Sequence, residues 1–316
     1  MADAASHTYT LTPEQGRALQ SILKERLFEF SPLAYGHFSA KRGKCSVNYY
    51  QSGKVTIQGK DAREFIEFAF EPMVLGEARL GYEEELHPER YSPHFGVDEA
   101  GKGDFYGPLV IAGAYVDPAL ARQLVALGVK DSKSVGGDKR IAELAESIRG
   151  LLGRRCSVVK IGPEAYNRLY SRFRNLNRLL AWGHAQVIEN LKAAVPSCPR
   201  ALSDQFAHPR LIEQSLERKK VQIVLEQRTK AESDPAVAAA SILARDSFVA
   251  ALDQLGERFG GPLPKGAGAP VKTHAASLFQ QHGLEALASV AKTHFKTYAE
   301  ITGIPAPHRP GEAEPA

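Results

Sequence analysis

The segment Gly96-Val97-Asp98-Glu99-Ala100-Gly101-Lys102-Gly103-Asp104 places two adjacent carboxylates at the end of an apolar run and follows them with a glycine-spaced loop. Neighbours in a regular strand point to opposite faces, so Asp98 and Glu99 serve one site only where the strand ends or bends. Gly101 and Gly103 supply a break and let backbone groups approach a ligand closely. Taken alone, an Asp-Glu pair before a glycine turn is more often a solvated strand end. Further acids follow. Asp204 closes the short run Ala201-Leu202-Ser203, and Glu232 and Asp234 lie between a strand ending near Leu225 and a helix starting at Pro235. Carboxylates at the ends of several strands of one sheet can converge on a point. An all-oxygen set without His or Cys suits a hard ion, Mg²⁺ or Mn²⁺. Two such ions about 4 Å apart activate a water and stabilise the leaving oxygen in phosphodiester cleavage.

Positioning these acids requires a layered domain. Strand patterns over 95–98, 109–117, 156–161, 201–204 and 221–225 alternate with helical ones over 139–152, 176–194 and 235–255, which argues for an α/β sheet flanked by helices. A last helical stretch is expected over 284–301. Tyr166 and Trp182, in helical segments, are expected in the core.

The N-terminal part reads differently. Thr12 and Pro13 open a helix with apolar spacing at Leu19, Ile22, Leu23 and Leu27. Runs 45–50 and 54–58 read as strands about the turn Gln51-Ser52-Gly53, and 61–70 as a second helix. No acid occurs between Glu29 and Asp61, whereas Lys41, Arg42, Lys44, Lys54 and Lys60 do, an electrostatic footprint for a polyanion. The expected organisation is a small α+β domain over 1–75, an acidic linker over 76–92, a large domain over 93–303 and a disordered tail over 304–316.

Composition limits the alternatives. Of 316 residues, 43% are hydrophobic and 24% charged, enough for a real core. The longest apolar run, Tyr106 to Val116, is about half of what a membrane-spanning helix needs, so no membrane partner is expected. The first residues carry no basic-then-apolar leader pattern. Cys45, Cys156 and Cys198 form no CxxC pair, which fits three free thiols in a reducing cytoplasm and argues against structural zinc. The net charge of +4 mildly favours a polyanionic partner.

The block from Asp98 to Gly103 with Gly107-Pro108, the triplet Asp131-Ser132-Lys133, Asp204, and Lys230-Ala231-Glu232-Ser233 running into Ala238 to Arg245 together resemble the type 2 ribonucleases H. Asp104, the run Leu263 to Gly268 and the N-terminal unit are similar to the ribonuclease HIII subfamily. The resemblance implies a ribonuclease H-like α/β fold with a mixed central sheet flanked by helices, carrying an N-terminal TATA-binding-protein-like domain.

It implies that Asp98, Glu99 and Asp204 hold catalytic metal ions, with Glu232 as the fourth carboxylate. Asp234 is the alternative, since an acid at a helix start also complements the helix dipole without any catalytic task. Gly101, Lys102 and Gly103 would meet the substrate's ribose and phosphate, where the 2′-hydroxyl separates RNA from DNA. Lys102 stands where members often carry threonine. Ser132 and Lys133 are outer phosphate contacts, with Lys265 and Lys296 as weaker candidates. Tyr50 and Lys54 belong to the substrate-binding face of the N-terminal domain, though one of Tyr49 and Tyr50 must face inward.

The implied activity is endonucleolytic cleavage of the RNA strand of RNA/DNA hybrids by two Mg²⁺ or Mn²⁺ ions, leaving 5′-phosphate and 3′-hydroxyl ends. A cytoplasmic monomer is expected. The alternatives are cleavage at single ribonucleotides embedded in DNA, and a non-catalytic hybrid-binding protein.

Overall fold

The computed structural model describes residues 6–77, 83–129, 132, 135–229 and 231–305. The chain divides into two compact units between Pro88 and Glu89.

In the first unit, β1 (Ser6–Thr10), α1 (Pro13–Glu25), β2 (Glu29–Ser31), β3 (Gly36–Arg42), β4 (Cys45–Tyr50) and β5 (Lys54–Gln58) precede α2 (Ala62–Phe65). The strands form an antiparallel sheet in the order β1-β5-β4-β3-β2. Thr12 caps α1 in a reciprocal capping box with Gln15, and Pro13 occupies the first turn. The alternation in β4 is strict: Cys45, Val47 and Tyr49 are buried, while Ser46, Asn48 and Tyr50 are half-exposed. The buried face packs with Leu19, Leu23, Ile66 and Phe70. The expected second helix is α only through Phe65. It continues as a π-helix from Ile66 to Leu75, because Pro72 offers no N–H to a regular ladder and the wider turn absorbs its ring.

Within the expected linker, the helical turn α3 (Glu83–Leu86) and a 3₁₀ turn (Pro88–Arg90) form, and Tyr91 is already buried in the second unit's core. That unit contains β6 (His94–Ala100), β7 (Leu109–Val116), α4 (Pro118–Ala126), α5 (Asp138–Leu152), β8 (Cys156–Ile161), α6 (Pro163–Phe173) and α7 (Leu176–Ala194). There follow β9 (Arg200–Asp204), α8 (Arg210–Arg218), β10 (Val224–Arg228), α9 (Pro235–Glu257), α10 (Ala269–Val290) and α11 (Lys296–Thr302). The sheet order is β10-β9-β6-β7-β8, with β6, β9 and β10 parallel and β7 antiparallel to both β6 and β8. It is mixed and has helices on both faces. Val110, Ala112 and Ala114 of β7 pack with α5 and α9, and Leu109 and Ile111 with α7.

Helix α9 is long and apolar enough to cross a membrane by length and composition, a feature the Tyr106–Val116 run did not reveal. It is the buried core helix, with Ala236 to Ala240 all inside. Its small side chains let it lie against β6, where a Cβ on Gly96 would strike the backbone of Ala236 and Val237.

Two expectations shift. The tenth strand starts at Val224, and Val221 and Ile223 precede it as coil packed on the α7 core. The last helical stretch is two helices. Helix α10 starts at Ala269 and bends at Gly283, whose φ is +81°, and α11 follows after a break at 291–295.

Candidate active site

Strand β6 carries both acids within its regular register, Asp98 opposite Ala112 and Glu99 opposite Ile111. They therefore point to opposite faces: Asp98 towards α9, where the Ser241 hydroxyl bonds it, and Glu99 towards α7, where His184 Nε2 lies 3.0 Å from Oε2. They share a site because the strand stops directly after them. Gly101, with φ +83°, turns the chain where a Cβ would strike the Pro108 carbonyl. Parallel pairing sets Val97 beside Ser203, so the next pair in register is Asp98 and Asp204. Asp98, Glu99 and Asp204 line one groove of about 560 Å³, together with Gly101, Lys102 and Gly103.

The two neighbours differ electrostatically. Burial, reinforced by the Glu99 charge, pushes the Asp98 carboxyl up to about 7. Burial opposes ionisation of Glu99 as well, but the His184 hydrogen bond and nearby Lys102 prevail and hold it below its ordinary value. Lys102 Nζ is 3.4 Å from Glu99 Oε1 and 5.3 Å from the Phe206 ring centroid. Asp204 Oδ1 accepts from Ala231 N at 3.2 Å, tying the turn that carries Glu232 to the end of β9.

The two candidates for the fourth carboxylate occupy different settings. Asp234 is 1% exposed, caps α9 through the N–H groups of Ala236 and Val237, and sits 2.9 Å from the buried His94 ring. It is committed to the fold. Glu232 is half-buried on the adjoining 3₁₀ turn and is not among the groove walls.

Ser132 lines the groove but is buried, its hydroxyl 2.8 Å from that of Ser241. Lys133, Asp131 and Lys230 lie outside the described residues. Lys265 borders the groove and pairs with Asp138 at 2.6 Å, whereas exposed Lys296 is not among its walls. In the first unit, Tyr49 is the inward tyrosine. Tyr50 and exposed Lys54 lie on the helix-free face with Asn48 and Thr56. Of the expected core aromatics, Tyr166 is fully buried, but Trp182 is only half-buried.

Sequence reasoning missed the polar supports. His184 is fully buried and also bonds Ser203 Oγ at 3.0 Å; its signal was a lone His inside the apolar run from Leu179 to Ile188. Buried Lys292 donates to the carbonyls of Asp104 and Tyr106 and so holds the glycine loop. Burial drives its ammonium down to about 7.

Among the described residues no three His, Cys, Asp or Glu side chains gather closely enough to hold a metal ion; each carboxylate of the groove engages protein donors instead. The all-oxygen set, the shared groove and the high cost of ionising Asp98 without a cation nevertheless fit a hard divalent ion.

A mixed five-stranded sheet with carboxylates at the adjacent ends of β6 and β9 defines the ribonuclease H-like fold. Residues 95–298 match the family model described as Ribonuclease HII, and residues 8–69 match a domain of unknown function, DUF3378. The chain is 45% identical over 297 residues to Ribonuclease HIII of Chlamydia pneumoniae, covering 92% of this chain and 96% of that protein. It is 42% identical over 296 residues to Ribonuclease HIII of Protochlamydia amoebophila, covering 93% and 96%. The crystal structure of Bst-RNase HIII in complex with Mn²⁺ superposes with a TM-score of 0.66 at 28% identity, covering 95% of this chain and 98% of that one. The chain belongs to the ribonuclease HIII family of type 2 ribonucleases H. It is a ribonuclease H enzyme.

Proposed function

We propose that the enzyme cleaves the RNA strand of RNA/DNA hybrids endonucleolytically, leaving 5′-phosphate and 3′-hydroxyl ends. The observation that carries this reading is the groove in which Asp98, Glu99 and Asp204 meet a glycine loop. Asp98, Glu99 and Asp204 would hold two divalent ions, with Glu232, on the turn tied to Asp204, as the fourth carboxylate; Mn²⁺ in the related Bst-RNase HIII supports a divalent ion here. Such ions, when bound, supply an activated water and charge neutralisation at the leaving oxygen.

The chain's own groups do the rest. Ser241 and the Glu99 N–H orient the Asp98 carboxylate, and His184 orients Glu99. Lys102 is near enough to the acids to meet a scissile phosphate. The glycines divide their tasks. Gly101 is demanded by the protein's own backbone, whereas a Cβ on Gly103 would meet nothing within 4 Å. What excludes a side chain at Gly103 is the substrate, whose ribose 2′-hydroxyl would lie against this backbone. Tyr50 and Lys54 would steady the duplex from the open sheet face without reading bases. We read the enzyme as a cytoplasmic monomer, in keeping with free Cys45, Cys156 and Cys198.

The test is cleavage of two duplexes by the wild type, one with an RNA tract and one with a single ribonucleotide in DNA, with Mg²⁺ and Mn²⁺ in turn. Efficient tract cleavage is expected. Cleavage confined to the single ribonucleotide replaces this reading with the ribonuclease HII-like one, and cleavage of neither removes it.

A further inference from the structure

Away from the groove, the second unit has a cavity of about 390 Å³ where the end of α6 meets α7 and α8. Its walls include Arg172, Arg178 and Arg218 around Phe173, Trp182 and Leu211. The three arginines are exposed and, among the described residues, none has a carboxylate within 4.0 Å. Lys219, also on the wall, is already committed to Glu189 and Gln186. The Phe173 and Trp182 rings lie 6.5 Å apart at 44°, and both are half-buried against the α7 core. The pocket thus combines an aromatic floor with unneutralised guanidinium groups. A folded protein keeps three unpaired arginines around one hollow at a cost in mutual repulsion, which an anion would relieve.

Its place in the fold narrows the anion. Helix α8 begins six residues beyond Asp204, and Phe206 in the connecting loop sits 4.9 Å from the His184 ring and beneath Lys102. Helices α7 and α8 both start at the end of the sheet where the groove lies. One short loop therefore joins Asp204 in the groove to the helix that walls the pocket.

We propose that this pocket binds one unpaired nucleotide of a single-stranded segment, its base against Trp182 and Phe173 and its phosphates on Arg172, Arg178 and Arg218. The inference rests on nucleic acid being the enzyme's substrate. Aromatic stacking beside a cationic rim is the chemistry of sequence-tolerant single-strand binding, because every base offers a π-face and guanidinium groups take phosphate in a forked geometry. A purely electrostatic site would not need the ring pair.

Trp182 is the chain's single tryptophan, so intrinsic fluorescence reports on this pocket directly. A short oligothymidylate, titrated without divalent ions, should quench that emission saturably and in a salt-dependent way. The variant R172A/R178A/R218A, whose changes are all at exposed positions, should bind about tenfold or more weakly. Absence of quenching overturns the proposal, as does undiminished quenching in the variant. Equal quenching by inorganic phosphate would remove the base from the site, and equally strong competition by oligoglutamate would assign the pocket to an acidic peptide; either overturns it. Hybrid cleavage by the wild type is scored separately. Its loss with intact quenching defeats the nuclease reading alone, whereas intact cleavage without quenching defeats the pocket alone.

Discussion

The two sheets of this protein use their surfaces in opposite ways. The antiparallel sheet of the first unit buries one face under α1 and the α2/π helix and leaves the other open, with Asn48, Thr56, Tyr50 and Lys54 on it. The mixed sheet of the second unit is covered on both faces and offers only its strand ends, where Asp98, Glu99 and Asp204 meet the groove. An open face presents many shallow polar contacts with little control over any one of them. A strand end presents few groups, each held by protein donors: Asp98 by Ser241, Glu99 by His184 and Asp204 by the Ala231 N–H. The first suits positioning a long polyanion, the second a reaction at one bond.

If that division is right, substitutions at strand ends should act on kcat and substitutions on the open face on binding. Asp98→Asn should lower kcat by more than about 100-fold, since even indirect supports of metal ligands cost about 10–100-fold, while hybrid affinity holds. Comparable cleavage by this variant would break the comparison outright. Next, Glu232→Gln should depress kcat with little change in Tm. Asp234→Ala, which removes a cap and half of a buried pair, should instead cost about 3 kcal/mol or more, lowering Tm by on the order of 10 °C. The reverse pattern in thermal melts and rates would make Asp234 the fourth carboxylate.

A smaller effect follows from the Asp98 carboxyl near 7. It binds its proton more tightly in the fold than in the unfolded chain, whose ordinary value is 3.8. The folded state therefore loses stability as pH rises from that value through about 7, and the loss is complete above it. In chelator, Asp98→Asn should melt several degrees above wild type at pH 8, with the gap closing towards pH 4; a pH-independent gap would contradict the burial argument. Because protons and cations compete for these carboxylates, wild-type activity should fall in acid and recover with added metal. The smallest changes belong to the open face. Tyr50→Ala and Lys54→Ala should raise KM a few-fold at constant kcat, with Lys54→Ala also flattening the log–log salt dependence of hybrid binding by about one unit. A kcat defect in either would merge the two roles.

The same contrast explains what was legible in the sequence. Strands β4 and β5 show period-two alternation because one face meets solvent, and their bounds were readable to the residue. In the covered sheet, β7 is a continuous apolar run that announces burial but not direction. Helix α10 was misplaced because Val271, Ala275 and Leu278 are separated by polar residues and its middle contains a φ-positive glycine. At the site, the convergence of Asp98, Glu99 and Asp204 was readable because carboxylates closing apolar strands are conspicuous, whereas Glu232, expected with them, is not among the groove walls. His184, Ser241 and Lys292 were not readable, since each acts through a partner distant in sequence, as His184 does through Glu99, 85 positions away. Nothing local marks such pairs.

Strand β6 and helix α9 also keep time with one another. His94 meets Asp234, Gly96 meets Val237, and Asp98 meets Ser241. Two residues of strand and about one turn of helix advance by nearly the same length, so the first contact sets the phase of the third. Asp234 and Ser241 are close to two full turns apart and share one side of the helix. Inserting one residue between them would swing Ser241 by about 100° away from Asp98. The cap at the buried end of α9 is thus the reference mark from which the Asp98 carboxylate is measured.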